Sequence, residues 1–339
     1  MRILDRWVYP INRPLKAHEK QHQLDPKIPI EGVKPWDWLS LIKMNSTYME
    51  LVDNGYHDKS PMLIWYIFAS SIIVFSTFYF GYSFLLDGDF SLVEIFIEMV
   101  FFIIGFVFSL FLLWIVSLQV FKKTHYPIRL NRKTRKVYQI KAKDEVLEAN
   151  WDDLYFFVQH GGAKTPFEVM DIRAHILNEN RETVLGTFVL MSVEFANQRN
   201  IHEAWEYIRS YMEDADGVEK AYNNRELCLP IDGRREGALF AIFRTYMFNI
   251  PIMQFLMAIQ PTIEVLGRCL SIYTSKIPVW PKRVEDACLV DPDDPYQCNW
   301  RDNRKFTFGE LGWPIICTVF GLLQIAAVVG WLLFRTVLS

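Results

Sequence analysis

The residues best suited to chemistry lie at 18–22, where His18-Glu19-Lys20-Gln21-His22 spells H-E-x-x-H. Two histidines at i and i+4 share a helix face and can hold zinc, with the glutamate acting as base on a metal-bound water. The surroundings argue against that use. Pro14 and Pro26 bound a polar segment with no apolar neighbours to seat a catalytic helix, and no third ligand follows at a suitable distance. The expected structure is a short solvated helix. The second candidate is basic: Arg132-Lys133-Thr134-Arg135-Lys136 lies within residues 122–143, which carry nine Lys and Arg and no acidic residue. The third is sulfur. Cys288 and Cys298 flank a turn-rich stretch with Pro292 and Pro295, close enough in sequence to bridge, whereas Cys228, Cys269 and Cys317 look solitary. A cytoplasmic location would keep them as thiols and export would favour a disulfide. Zinc is poorly supported, because no second Cys or His pair lies nearby.

Other signatures are missing. The sequence has no phosphate-binding loop, no G-x-S-x-G, no dinucleotide fingerprint and no kinase set. Gly161-Gly162 is an isolated turn pair, and His160, His175 and His202 are dispersed. No catalytic, cofactor or metal residues are therefore assigned, and an enzyme is not expected. A net charge of −3 gives no reason to propose a nucleic-acid partner.

What must position any site is set by three charge-free apolar runs, at 62–86, 99–121 and 313–334. As a helix the first would be about 37 Å long, more than the roughly 30 Å hydrocarbon core of a bilayer. Trp65, Tyr66, Tyr79, Tyr82 and Trp114 lie near the run ends, as an interfacial belt requires. No charge sits mid-run, which gives an ion or proton pathway no foothold. The first sixty residues are polar and show no cleavable leader, so the first run is expected to be its own insertion signal. Asp87–Glu98 has acidic residues and no Lys or Arg, whereas the basic run follows directly at Lys122. That contrast places the short link outside and the central segment in the cytoplasm.

The resulting division is a cytoplasmic N-terminal segment at 1–61, a transmembrane helical hairpin at 62–121 and a cytoplasmic α+β domain at 122–236. An apolar helical segment with a Pro-rich loop follows at 237–312, then a C-terminal transmembrane helix at 313–339. A short helix is expected over Trp36–Val52, where Trp36, Leu39, Ile42, Met49 and Val52 could share a face. In the central domain, Ile128–Leu130 and Val137–Ile140 read as strands joined by the basic turn. Further strands are expected at Leu154–Val158, Phe167–Leu177 and Thr183–Leu190. An amphipathic helix follows over Asn200–Glu213, with Ile201, Trp205, Ile208 and Met212 on one face. A small antiparallel sheet capped by one helix is compatible with a pleckstrin-homology-like module. The apolar stretch 238–273 carries Arg244, Asn249, Pro251 and Gln254, and a central Arg costs about 2.5–3.5 kcal/mol on insertion. A surface-lying or protein-packed helical pair is favoured there over a fourth span.

Several of these pieces resemble an uncharacterised family of proteobacterial membrane proteins often encoded near type VI secretion effectors. The resemblance runs over about residues 45–300 and rests on five pieces. They are Leu130-Asn131-Arg132-Lys133-Thr134-Arg135-Lys136-Val137-Tyr138, Trp151-Asp152-Asp153-Leu154, Arg173-Ala174-His175-Ile176-Leu177, the helix Ala204–Met212, and Pro278-Val279-Trp280-Pro281. It implies a multi-pass protein of the bacterial inner membrane that binds another protein, a toxin or effector, as an immunity or accessory factor. It transfers no catalytic residue. The surfaces expected to meet a partner are Arg132, Lys133, Arg135 and Lys136 of the turn, with Trp205 and Tyr211 of the helix. The alternative use of the same cations is docking on anionic lipid.

Overall fold

Period-two alternation of apolar residues folds here into two antiparallel sheets of five strands each. The computed structural model describes residues 10–53, 56, 63–87, 91–141, 143–160, 169–193, 197–247 and 250–338. The turn expected at Gly161-Gly162, the start of the strand expected from Phe167, and Asn249 lie outside the described residues. The strands are β1 (Arg13–Pro14), β2 (Gln23–Leu24), β3 (Leu41–Met44), β4 (Tyr48–Leu51), β5 (Ile128–Asn131) and β6 (Lys136–Ile140). They continue as β7 (Val146–Asn150), β8 (Leu154–His160), β9 (Met170–Leu177) and β10 (Thr183–Val193). The helices are α1 (Ala17–Gln21), α2 (Leu63–Asp87), α3 (Leu92–Gln119), α4 (Gln198–Glu213) and α5 (Gly217–Asn223). After these come α6 (Ala238–Tyr246), α7 (Pro251–Leu256), α8 (Ile259–Thr274), α9 (Lys282–Ala287) and α10 (Trp313–Leu338).

The chain divides into two units. The β unit draws on Met1–Asp58, Lys123–Arg235 and Ile277–Lys305, and the helical unit on the rest. In the β unit one sheet is the simple meander β3-β4-β5-β6-β7, and the other has the order β1-β10-β9-β8-β2. The inward residues of both sheets, among them Leu41, Met49, Ile128, Leu130, Phe156, Ile172 and Leu190, form one core with the apolar face of α4. At its centre Trp151, Phe156 and Trp205 lie with ring centroids 4.5–6.2 Å apart. The expected strands and the expected helix at 200–213 are thus present, the helix beginning two residues earlier.

Two expectations are corrected. Trp36–Val52 is not a helix: Leu41–Met44 and Tyr48–Leu51 are strands, and β4 pairs with β5 in the register Tyr48↔Asn131 through Leu51↔Ile128. The turn between them is held by Asn45 Oδ1, which accepts from the backbone N–H of Thr47 and Tyr48 at 2.8 Å. Pairing with β5 offers these residues backbone partners and burial on both faces, which overrides a weak helical period. Likewise 277–305 is not a free Pro-rich loop. Trp280, Val284 and Cys288 pack on Tyr48, Tyr138 and Ile140, covering the outer face of the meander sheet.

The helical unit buries a few hydroxyls at its helix contacts beside a small apolar cluster of Ile242, Tyr246, Val265 and Cys317, and many of its large apolar side chains are exposed. α2 and α3 run antiparallel, since Ser70 meets Ser109 (Oγ to Oγ 3.4 Å) while Phe78, further along α2, meets Phe102, earlier on α3. Thr262 of α8 donates to the Thr318 carbonyl of α10 at 3.4 Å. Outward stand Phe75, Phe101, Leu92 and Leu323, each more than 60% exposed. Leu92–Gln119 and Phe308–Trp331 are long and apolar enough to cross a membrane. The 238–273 stretch is broken into α6, α7 and α8, the longest 16 residues, so no single helix there reaches across a bilayer.

Among the described glycines of this unit, Gly321 leaves the least room for a side chain. A Cβ there would strike Thr262 Oγ1 and lie 2.6 Å from the Ala258 carbonyl oxygen, whereas at Gly330 it would meet nothing within 4 Å. Gly321→Leu is expected to destabilise the protein by about 1–3 kcal/mol or more through overpacking. Gly330→Leu should leave it unchanged, as read by thermal unfolding in detergent.

Candidate interaction surface

The basic turn does its first work inside the protein. An α-helix ends with unpaired carbonyls and the negative end of its dipole, so cations are stabilising there. Arg132 donates to the carbonyls of Tyr211 and of Asp214, the latter at 2.5 Å, and Arg135 donates to that of Met212 at 3.1 Å. Arg135 also pairs with Asp152 (2.6 Å) and Glu213 (2.6 Å), and Lys27 joins Glu213 from the N-terminal segment at 2.8 Å. Trp151 Nε1 donates to Glu213 at 2.6 Å. Burial alone would raise the Glu213 carboxyl, but the hydrogen bonds from Lys27, Arg135 and Trp151 outweigh it and hold the group ionised. The turn itself is set by Asn131 Oδ1, which accepts from Thr134 N at 2.9 Å, and by Arg135 at φ +54°.

Of the six residues expected to meet a partner, this arrangement brings four to the end of α4 or its core. Trp205 and Tyr211 are fully buried, and Tyr211 donates to the Asn45 carbonyl at 2.8 Å. They are core anchors, since a helical stripe of large apolar residues buries itself against the sheets. Arg132 and Arg135 cap the helix, and Lys136 pairs across the hairpin with Glu148 at 2.6 Å. Lys133, at the tip, faces solvent.

A second charged cluster, which sequence reasoning missed, lies on the outer face of the meander sheet. Glu50 and Arg129 are register partners across β4 and β5, both buried, with Arg129 Nη2 at 2.7 Å from Glu50 Oε2. The guanidinium lies between the Tyr48 and Trp280 rings, 4.4 and 4.6 Å from their centroids, and Trp280 Nε1 donates to Glu50 Oε1 at 3.0 Å. Lys43 bonds Asp232 at 2.7 Å at the rim. The alternation of Arg129 with Ile128 and Leu130 placed it on the outer face, but nothing local named Glu50 or Trp280 as its partners.

The H-E-x-x-H segment is a strap over the other sheet. β1 lies beside β10 and β2 beside β8, so residues 13–24 join both edges. Glu19 is not solvated as expected: it is buried, bonds Arg13 at 2.5 and 2.9 Å, and approaches His175 Nε2 at 3.3 Å. His175 Nδ1 meets Thr187 Oγ1 at 2.8 Å. His18 turns to Gln159 (3.0 Å) and His22 packs edgewise on His160, so the two motif histidines serve different partners. Among the described residues no group of three or more His, Cys, Asp or Glu is placed to hold a metal. The strap thus borders both edges of this sheet, and its Arg13, His18, Glu19 and His22 side chains are engaged with the sheet or with each other.

An α+β protein of two antiparallel sheets with helices apolar enough to cross a membrane is the class this architecture defines. The chain belongs to a family of unknown function, DUF6708, whose profile matches residues 103–292. The matched region takes in the basic turn, β5 to β10 and the Trp280 cover, and it leaves β1 to β4 outside. No curated protein and no solved structure matches the chain.

Two outcomes test these assignments. Arg135→Ala removes a helix cap and two ion pairs and should cost about 1–3 kcal/mol. Lys133→Ala should stay within about 0.5 kcal/mol, both read by urea unfolding followed through tryptophan fluorescence. The strap is pH-sensitive. Burial pushes His175 down to about 4, against which Glu19 pulls it up only in part. Glu19 stays near 2 because Arg13, the Lys16 N–H and His175 outweigh its burial. Both folded pKa values lie below the unfolded ones, so the unfolded chain binds more protons on acidification. Stability is therefore full above about pH 6.5 and falls as pH drops toward 4 for His175, then from 4.5 toward 2 for Glu19. His175→Gln should flatten the first fall and keep a second, smaller one, because Arg13 and the Lys16 N–H still hold Glu19 low.

Proposed function

We propose that this protein is a membrane-anchored protein-binding module, with the β unit as its binding part. The observation that supports the reading is the apolar exterior of the helical unit. Buried Ser70, Ser109, Thr262 and Thr318 line its helix contacts while large apolar side chains cover its exterior. In water such an exterior is a liability, and in lipid it is the expected arrangement, with small polar residues at helix interfaces. The anchor comprises spans at 62–86, 99–121 and 313–334. The nine cations after the second span favour a cytoplasmic β unit, and the bacterial inner-membrane location rests on the motif resemblance. α7 adds to the anchor: Ile250, Ile252, Leu256 and Met257 are exposed, while Phe255 stacks on Phe320 of α10 at 4.5 Å. It reads as an interfacial segment in the leaflet holding the start of α10.

The partner is a protein, and the role is stoichiometric binding of a toxin or effector as an immunity or accessory factor. This part of the reading rests on the motif resemblance. Docking of the basic turn on anionic lipid is the weaker alternative, because Arg132, Arg135 and Lys136 are already engaged and Lys133 alone of the turn's cations faces solvent. Two antiparallel sheets packed with one main helix support reading the β unit as a pleckstrin-homology-like binding module.

Two measurements test the reading. With native cysteines replaced, Ser91→Cys should react with an impermeant maleimide on intact cells and Lys133→Cys only after permeabilisation; labelling of both from outside overturns the topology. Expression with the gene beside it should give a co-purifying complex and relieve any growth arrest that neighbour causes. Absence of both, with salt-sensitive liposome binding lost in Lys133→Glu, would favour lipid docking instead.

A further inference from the structure

Cys228 and Cys298 are 70 positions apart, yet their sulfurs lie 3.9 Å from each other in the core of the β unit. Cys228, which looked solitary in the sequence, is thus the neighbour of Cys298; Cys288 is a free thiol of the Trp280 cover, with its sulfur 3.4 Å from Asn131 Nδ2. Both members of the observed pair are fixed by backbone bonds to one strand. Cys298 donates to the Met44 carbonyl at 2.9 Å and accepts from Met44 N at 3.1 Å. Leu229, next to Cys228, donates to the Leu41 carbonyl at 2.7 Å. Asn303 bonds both the N–H and the carbonyl of Cys228, at 2.8 and 2.7 Å. Closing the sulfurs to a bond of about 2.05 Å takes about 2 Å of movement shared between two side chains.

The surroundings make the two sulfurs unequal. A hydrogen bond from Cys228 and the nearby charge of Arg225 lower Cys298, while donation of that bond and burial push Cys228 up. Asp37 and Tyr207 are buried beside them, and burial pushes the Asp37 carboxyl up to about 8. A thiolate-prone sulfur facing a protonated one is the arrangement that oxidation to a disulfide needs.

We propose that Cys228 and Cys298 are an oxidative modification site that closes to a disulfide with a small hydroperoxide-class oxidant. With hydrogen peroxide, the Cys298 thiolate attacks one oxygen and the O–O bond breaks, leaving a sulfenic acid and a hydroxide that takes up a proton. The Cys228 sulfur then attacks the Cys298 sulfur, the S–O bond breaks, and the departing hydroxide leaves with the Cys228 proton as water. Two thiols lose two electrons and one peroxide becomes two waters. Because both sulfurs are buried, a bulky disulfide oxidant such as oxidised glutathione should react far more slowly. The new bond would join two segments of the β unit near the ends at which each leaves it, Arg235 and Lys305.

The test treats the full-length protein in native membranes with hydrogen peroxide, then denatures it, alkylates free thiols and maps disulfide-linked peptides. The expected result is loss of two alkylatable thiols and one peptide joining Cys228 to Cys298. It should form at least tenfold more slowly with oxidised glutathione and persist in Cys288→Ser. Five thiols still alkylated, a bridge from Cys298 to Cys288, or Cys298 accumulating as sulfinic acid with Cys228 free would each overturn the proposal. Cys228→Ser should abolish the bridge; should that variant misfold, the peptide map of the unaltered chain decides alone.

Discussion

The carbonyl end of α4 is the constraint on which the β unit depends. A helix buried along its length cannot leave its last carbonyls and its dipole unanswered, and water does not reach them easily. Arg132 and Arg135 answer them from the β5–β6 turn, and Glu213 ties in Trp151 and Lys27. One cluster therefore joins the meander sheet, the turn before β8, the main helix and the N-terminal segment. The cations at this site do not form an open basic patch; they are committed to holding the helix end against the sheet.

The same economy governs the outer sheet faces. Arg129 and Glu50 are buried together, and burying an ion pair is tolerable only when both charges are matched and their remaining donors used. Here Trp280 supplies both a hydrogen bond and an aromatic face, and the Glu19–Arg13–His175 contact plays the corresponding part under the strap. Each sheet is thus closed by a distant chain segment whose polar groups satisfy charges on the strands. The helical unit solves the opposite problem: Ser70, Ser109, Thr262 and Thr318 are buried at helix contacts, while hydroxyls such as Ser71 and Ser76 bond carbonyls of their own helix and the exterior is largely apolar.

The parts of this structure legible in the sequence were those with strong local signals. The hairpin around Asn131–Lys136, the strands at 154–160 and 183–193 and the amphipathic helix at 198–213 follow from alternation, turn residues and helical spacing. β3 and β4 were not legible because Leu41, Ile42, Met44, Met49 and Leu51 are buried on both faces, which erases the period that distinguishes strand from helix. Their partner β5 lies beyond two apolar helices. Burial direction was only partly legible: the apolar stripe on the helix pointed Trp205 to the core, yet Trp205 and Tyr211 were also read as partner-facing aromatics, and Glu19 read as solvated within a polar string. The pairing of Cys228 with Cys298 was invisible because it depends on β3 lying next to both, a fact of tertiary register rather than spacing.

The register Leu51↔Ile128 has a consequence for the order of assembly during synthesis. β4 emerges from the ribosome with no neighbour on its open edge, and 76 residues, including both helices of the apolar hairpin, must follow before β5 can pair with it. The cover over that sheet arrives later still, after α8, so the Glu50 carboxylate waits longest for its Trp280 partner. Long-range closure of this kind is slow and leaves strand edges unprotected meanwhile. Because β4 and β5 are antiparallel neighbours, the excursion leaves and re-enters at adjacent points of one sheet. A two-residue turn in its place would make the meander continuous, and the order of events would then be set by the β unit alone.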